Sequence, residues 1–187
     1  MNVEKKNQFG CVHIFYGFGP GKTSALFGKT VRALGHNLKP GIFQFMKRHS
    51  AENEEKGFNY GEYITMTEKL NVDVFQYGTT KFIDPKKELS EEDIALASKG
   101  IQDISDAIKQ QKYDLIICDE LLTAIHFKLV PVEKVVEIIK ALPKSIELMI
   151  SGHYEIPEIF ELADYITEFK KIKHPFDKGL QGREGIE

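Results

Sequence analysis

A glycine-rich segment near the start of the chain constrains the fold more than any other feature. An apolar, strand-like run at residues 11–16 leads directly into Gly-Phe-Gly-Pro-Gly-Lys-Thr-Ser at residues 17–24, and a helix-like pattern follows. Glycines let the backbone adopt positive φ and approach a ligand closely, so that backbone N–H groups can surround a polyphosphate. A strand, a glycine-rich loop and a helix in this order predict a phosphate-binding loop.

Every position of this loop is a candidate contact for a nucleoside triphosphate. Lys22 would neutralise phosphate oxygens, the Thr23 hydroxyl would complete a Mg²⁺ shell, and the helix dipole adds positive charge. The loop is one residue shorter than the common pattern G-x-x-x-x-G-K-[ST], whose first glycine would fall at Tyr16. A glycine-rich turn that merely precedes a helix is the alternative. The predicted nucleotide contacts are Gly17, Phe18, Gly19, Pro20, Gly21, Lys22, Thr23 and Ser24.

Length and composition predict one domain that spans residues 1–187. The apolar fraction of 42% is enough for a sizeable core. A net charge of -3 gives no general attraction to nucleic acid or to an anionic membrane, so neither partner is expected. The polar N-terminus and the lack of any apolar run of about 18 residues predict no signal peptide and no membrane span. A cytoplasmic location is therefore expected.

Strand-like and helix-like patterns alternate along the chain. Helices are predicted at about residues 23–34, 91–111 and 131–142, and Ser90 with Asp93 forms a capping box before the second of these. Strand-like runs lie at residues 11–16, 41–46, 72–76, 115–119, 146–151 and 165–169. This alternation predicts an α/β fold with a doubly wound, mainly parallel sheet. Together with the predicted phosphate-binding loop, it indicates the P-loop NTPase (RecA-like) fold.

Two irregular stretches, at about residues 48–61 and 78–87, lack any periodicity and are predicted to be substrate loops. Both follow strands. Because ligands bind at the carboxyl ends of the strands in open α/β sheets, these loops lie where they could close over a substrate.

The strand-like run at residues 115–118 ends in Asp119 and Glu120, which resembles a Walker B segment. Carboxylates at this edge would hold Mg²⁺, with Mn²⁺ as an alternative, so Thr23, Asp119 and Glu120 are the candidate metal residues. Lys22, Thr23 and Glu120 are the candidate catalytic residues. An acidic pair after a strand also occurs as a helix cap, which is the alternative reading of these two residues.

Basic residues follow the second predicted strand. Lys47 is placed to reach a phosphate, and a solvated run of Lys47, Arg48 and His49 is the alternative. Lys170, Lys171 and Lys173 are expected to face solvent, because the aromatic residues that accompany single-stranded nucleic-acid binding are missing around them.

Several of these segments resemble the corrinoid adenosyltransferases of the P-loop type. The shortened loop at residues 17–23 is similar to the loop of that family, and residues 44–47, 119–121 and 161–168 resemble further family segments. The most specific similarity is the tail at residues 173–187. The resemblance spans almost the whole chain and is weakest between residues 48 and 87.

The resemblance implies transfer of the 5′-deoxyadenosyl group of ATP to Co(I) of cobalamin or a precursor, with release of triphosphate. Lys22, Thr23 and Mg²⁺ would stabilise the leaving group, and Glu120 would position Mg²⁺ rather than act as a general base. The resemblance also implies a reductase that supplies Co(I), and it suggests a homodimer.

Two positions depart from the family pattern. The chain has no tryptophan, which leaves Phe82 as the nearest candidate to press against the corrin, although Phe82 could instead anchor its loop to the core. His153 stands where the family typically carries an arginine. Because histidine is only partly protonated near neutral pH, a weaker or pH-dependent phosphate contact is expected there.

Two other functions fit the same residues. A phosphotransferase or ATPase of this fold would use Glu120 to activate an acceptor or water, and bond breaking would occur at phosphorus. A non-catalytic ATP- or corrinoid-binding module would bind its ligand without turnover.

Overall fold

A six-stranded parallel sheet forms the centre of the part of the chain that the structure, a computed structural model, describes: residues 10–49, 60–79, 83, 89–183 and 185–186. The strand order is β3-β2-β4-β5-β1-β6, and all neighbouring strands pair in parallel. Each strand begins and ends within one residue of its predicted position. The strands are β1 (Val12–Tyr16), β2 (Pro40–Phe45), β3 (Asp73–Tyr77), β4 (Leu115–Asp119), β5 (Glu147–Ser151) and β6 (Tyr165–Glu168).

Helices connect these strands. The three predicted helices are confirmed as α1 (Lys22–Gly35), α3 (Glu91–Lys109) and α5 (Val132–Lys140). The sequence patterns did not predict the short helices α2 (Gly61–Ile64), α4 (Leu121–His126) and α6 (Pro157–Phe160), a π-helical turn at Thr65–Lys69 and a 3₁₀ turn at Pro175–Lys178. These segments are too short to show a helical period. Within the described part of the chain, none of the helices combines the length and the apolar composition that a membrane-spanning helix needs.

Helices cover both faces of the sheet, as the doubly wound fold predicts. Ile116 and Cys118 of β4 pack in a cluster that includes residues of α3, α4 and α5, whereas Leu115 and Ile117 pack in a second cluster that includes α1. This alternation follows from the two-residue period of a strand. The α/β fold class is therefore confirmed, and the extent of the domain over residues 1–187 stays a prediction.

Local sequence features explain where α3 begins and how closely it packs against the sheet. The Ser90 hydroxyl accepts a hydrogen bond from the Asp93 N–H at 3.1 Å, which confirms the predicted cap. A Cβ atom at Gly100 would lie 2.9 Å from the rings of Phe45 and Tyr77, so glycine lets the helix approach these aromatic side chains. Packing of α3 against the sheet then keeps the ends of β2 and β3 in place.

Ile117→Ala should lower the free energy of unfolding by about 2–5 kcal/mol, because Ile117 is fully buried in the central strand. The matched control is Ile166→Ala on the edge strand β6, where the side chain is 47% exposed and a change of about 0.5 kcal/mol is expected. Urea denaturation with an unchanged m-value measures both. Equal losses in the two variants would contradict the position of the core.

Candidate functional site

The phosphate loop is held by the chain segment that follows β6. The Gly19 N–H donates a hydrogen bond to the Phe169 carbonyl at 2.6 Å. Gly17 and Gly21 have φ of +108° and +101°, and a Cβ atom at Gly17 or Gly19 would lie 2.5 or 2.6 Å from the Phe169 carbonyl oxygen. Glycine is thus required both for the left-handed backbone and for the close approach of the segment that follows β6.

Lys22 is folded against the carbonyl oxygens of its own loop. Its ammonium donates to the Gly17 oxygen at 2.7 Å and to the Gly19 oxygen at 3.1 Å, and the residue is only 6% exposed. Burial lowers the pKa of Lys22, and the nearby carboxylates of Glu120 and Asp119 oppose this shift. The other loop residues with predicted nucleotide contacts, Phe18, Pro20, Gly21 and Ser24, are exposed to solvent.

Asp119 is fully buried at the end of β4 and accepts hydrogen bonds from four side chains. The donors are the Thr23 hydroxyl at 3.1 Å, the Ser151 hydroxyl at 2.8 Å, the Gln44 amide at 3.0 Å and the Lys47 ammonium at 2.8 Å. Burial alone would raise the pKa of Asp119, but the ion pair with Lys47 and the hydrogen bonds hold this pKa below its usual value. The carboxylate is therefore charged and rigidly held.

Lys47 contacts the acidic end of the site rather than lying in a solvated charged run. Its ammonium also donates to the Thr23 hydroxyl at 3.1 Å and lies 5.7 Å from the centroid of the Tyr60 ring. Burial lowers the pKa of Lys47, but Asp119 more than offsets this effect and the pKa is raised. The predicted contact of Lys47 with phosphate stays a prediction.

Glu120 lies next to Asp119 in the chain but points to different partners. It accepts a hydrogen bond from the Thr123 hydroxyl at 2.6 Å, and its other oxygen lies 3.6 Å from Nε2 of His153. Its φ of +61° is unusual for a residue with a side chain, and such conformations concentrate at functional sites. Glu120 precedes α4 at the N-cap position, yet its side chain makes no capping hydrogen bond.

His153 follows β5 and contacts both the acidic site and the phosphate loop. Its backbone N–H donates to the Thr123 hydroxyl at 2.9 Å, and the Phe18 ring packs edge-to-face against its imidazole at a centroid distance of 5.4 Å. Burial lowers the pKa of His153, and Glu120 only partly opposes this shift. The imidazole is therefore mostly neutral near pH 7, in contrast to an arginine at this position.

The structure thus brings most of the predicted site residues together at the carboxyl ends of the strands. Phe82, together with most of the predicted loops at 48–61 and 78–87, lies outside the described residues, and Gly61 at the end of the first loop is the first residue of α2. The sequence patterns did not identify Gln44, Ser151 and Thr123 as site residues. The one sequence signal that could have indicated such a residue is a polar side chain inside an otherwise apolar strand, as at Gln44.

The oxygen atoms of Thr23 and Asp119 fit a Mg²⁺ ion that is bound together with a nucleotide. The Thr23 hydroxyl lies 3.1 Å from the Asp119 carboxylate, and both are hard oxygen ligands of the kind that Mg²⁺ prefers. Among the described residues, no group of three or more His, Cys, Asp or Glu side chains is arranged to hold a metal. Phosphate oxygens would therefore have to complete the coordination, as is usual for Mg²⁺ at phosphate sites.

Gly19→Ala should weaken ATP binding by at least about tenfold, because the added Cβ would force the loop away from Phe169 and break the 2.6 Å hydrogen bond. The control is Gly28→Ala in α1, where a Cβ atom meets nothing within 4 Å and stabilises the helix by about 0.5–1 kcal/mol. Calorimetric titration with ATP measures the affinity. Normal affinity in the Gly19 variant would show that the contact with Phe169 does not shape the loop.

Comparison with known proteins connects this geometry to a family. Residues 8–187 match the family described as ATP:corrinoid adenosyltransferase BtuR/CobO/CobP. A corrinoid adenosyltransferase of Escherichia coli is 29% identical over 185 residues, which cover 99% of this chain and 89% of that protein. One of Pseudomonas aeruginosa is 28% identical over 185 residues, which cover 99% of this chain and 87% of that protein.

One solved structure shows a weaker similarity. EssC (ATPases 2 and 3) from Geobacillus thermodenitrificans is 12% identical, with a TM-score of 0.46 over 97% of this chain and 36% of that chain. The family match covers the phosphate loop, the Asp119 cluster and the C-terminal tail alike. The resemblance seen in the sequence is confirmed, and the chain belongs to the ATP:corrinoid adenosyltransferase family.

Proposed function

We propose that this chain transfers the 5′-deoxyadenosyl group of ATP to Co(I) of a corrinoid and releases tripolyphosphate. One observation carries the proposal in a chain of this family: the phosphate loop contacts the buried carboxylate of Asp119. The contact is made by the Thr23 hydroxyl, which donates a hydrogen bond to Asp119 at 3.1 Å. A triphosphate held by the loop would lie beside an anchored carboxylate. This is the arrangement that a metal-bound polyphosphate requires.

The reaction places few chemical demands on the protein. Co(I) donates an electron pair to C5′ of the ribose, the C5′–O bond breaks, and its electron pair leaves with the triphosphate. No proton has to be removed from the nucleophile. Catalysis then depends on holding C5′ in line with cobalt and on neutralising the charge that develops on the leaving triphosphate.

The phosphate loop would hold the leaving group. Its backbone N–H groups and the N-terminus of α1 would contact the triphosphate, and the Lys22 ammonium would exchange its loop carbonyls for phosphate oxygens. Thr23 and Asp119 would hold Mg²⁺, for which Mn²⁺ could substitute. The bound ion would neutralise part of the triphosphate charge. Gln44 and Ser151 keep the Asp119 carboxylate in place during this step.

Glu120 and His153 would help to position the reactants. The Glu120 carboxylate is fixed by Thr123 and has no proton to remove in this reaction, so we assign it to the placement of Mg²⁺ or its water ligands. We assign His153 to a phosphate contact that is weaker than the contact an arginine would make. Phe82 in the second loop would press against the corrin.

The chemistry also requires a supply of reduced cobalt. Co(I) is strongly reducing and short-lived, so we propose a separate reductase as partner. The family resemblance supports a homodimer, and we propose that the reaction takes place in the cytoplasm.

The reaction itself tests the proposal. The protein is mixed with ATP, Mg²⁺ and chemically reduced cobalamin, and the expected products are a light-sensitive alkylcobalt spectrum and an equal amount of tripolyphosphate. Formation of ADP or orthophosphate in its place would reject adenosyl transfer and support a phosphotransferase or ATPase. Tight ATP binding without any turnover would support a non-catalytic module.

Lys22→Met should lower kcat/KM by about 10²–10³-fold, because a cation next to the developing charge is lost while the apolar stem of the side chain is kept. Lys29→Met on the same helix is the control for loss of one positive charge and should retain activity. Circular dichroism and thermal melting establish that both variants are folded. A folded Lys22 variant with normal turnover would refute the assignment of Lys22 to the leaving group.

A further inference from the structure

The Lys47 ammonium contacts two oxygens that the proposed function assigns to Mg²⁺. It lies 2.8 Å from Oδ2 of Asp119 and 3.1 Å from Oγ1 of Thr23, and the face of the Tyr60 ring lies on a third side at 5.7 Å. The Lys47 side chain is only 17% exposed. A positive charge carried by the protein itself is therefore inserted between the loop and the buried carboxylate.

A divalent metal and this ammonium compete for the same oxygens. Mg²⁺ binds oxygen at about 2.0–2.1 Å, and it tolerates little distortion of its ligand shell. An ion bound to Thr23 and Asp119 would stand within a few ångström of the ammonium, where two like charges repel strongly at a buried site. One cation must leave before the other can bind.

We propose that Lys47 is a tethered cation that occupies the metal position between Thr23 and Asp119 and that Mg²⁺ displaces it toward the phosphates of the nucleotide. The inference rests on the metal site of the proposed function. It gives Lys47 two successive partners, the Asp119 carboxylate first and a phosphate oxygen afterwards. Entry of the metal is thereby coupled to arrival of the nucleotide, because the displaced ammonium needs a new anion.

The backbone around Lys47 favours movement of its side chain alone. The Met46 N–H donates to the Tyr77 carbonyl at 2.9 Å, and a Cβ atom at Gly78 would lie 2.5 Å from the backbone nitrogen of Lys47, so the end of β3 and the residue after it pack closely on this segment. The start of the side chain is therefore fixed. The four-carbon stem beyond it is flexible enough to move the ammonium between neighbouring anions.

Asp119 would stay in place during the exchange. The Gln44 amide and the Ser151 hydroxyl hold its two oxygens at 3.0 and 2.8 Å, independently of Lys47. The Gln44 side chain is itself held by a hydrogen bond of 2.9 Å from the Gln76 amide. The preformed carboxylate can thus exchange its ammonium partner for a metal ion without a rearrangement of the strands.

Binding of Mn²⁺ without nucleotide tests the proposal, because the electron paramagnetic resonance signal of free Mn²⁺ reports the bound fraction without any need for turnover. Lys47→Met should bind Mn²⁺ at least about tenfold more tightly than the unmodified protein, since removal of a like charge favours a cation at the site. Arg48→Met is the matched control. It removes the same charge from the adjacent, exposed residue and should leave the affinity unchanged.

A second variant covers the case in which Lys47→Met does not fold because Asp119 has lost its ion pair. Lys47→Gln keeps a hydrogen-bond donor for the carboxylate and should show the same gain in Mn²⁺ affinity. Equal or weaker Mn²⁺ binding in the Lys47 variants than in the unmodified protein would overturn the inference. Absence of Mn²⁺ binding to every variant, even with ATP added, would overturn it together with the proposed metal site, whereas the alkylcobalt assay decides adenosyl transfer separately.

Discussion

The buried carboxylate of Asp119 is the interaction on which the rest of the site depends. Removal of a charge from water costs several kcal/mol unless partners compensate for the lost hydration. Loss of one partner is therefore destabilising, because that part of the cost is no longer compensated. Here the partners are Thr23, Gln44, Lys47 and Ser151, which come from α1, β2, the segment after β2, and β5. One carboxylate therefore fixes the carboxyl ends of three strands and the start of a helix relative to one another.

The strand order makes this convergence possible. Because β4 lies between β2 and β5, Gln44 is directly opposite Asp119 in the register, and Ser151 lies at the end of the other neighbour. The phosphate loop is fixed from the β6 side of the sheet, since the Gly19 N–H donates a hydrogen bond to the carbonyl of Phe169, the residue after β6. A polyphosphate held by this loop, as we propose, would meet a carboxylate whose position is set by folding. Such preorganisation is what stabilisation of a departing anion requires.

Local patterns were enough to predict much of this arrangement. The glycine-rich loop, the six strands and the three long helices each leave a period or a turn signal in a short stretch of sequence. The contact of Thr23 with Asp119 agrees with their predicted common metal site, but the hydrogen bonds from Gln44, Lys47 and Ser151 could not be predicted, because they depend on which strands become neighbours. The ion pair of Lys47 and the contact of Gly19 with Phe169 are of this kind. Short elements such as α4 lack the length to show a period.

We propose that the phosphate loop presents C5′, and not phosphorus, to the incoming nucleophile. ATP labelled with ¹⁸O at the oxygen that bridges C5′ and the α-phosphorus distinguishes the two orientations, in a reaction with reduced cobalamin analysed by mass spectrometry. Because the C5′–O bond breaks in adenosyl transfer, we expect the label to leave entirely with tripolyphosphate. Retention of the label in a nucleotide product such as ADP would show that bond breaking occurs at phosphorus and would refute the proposed orientation.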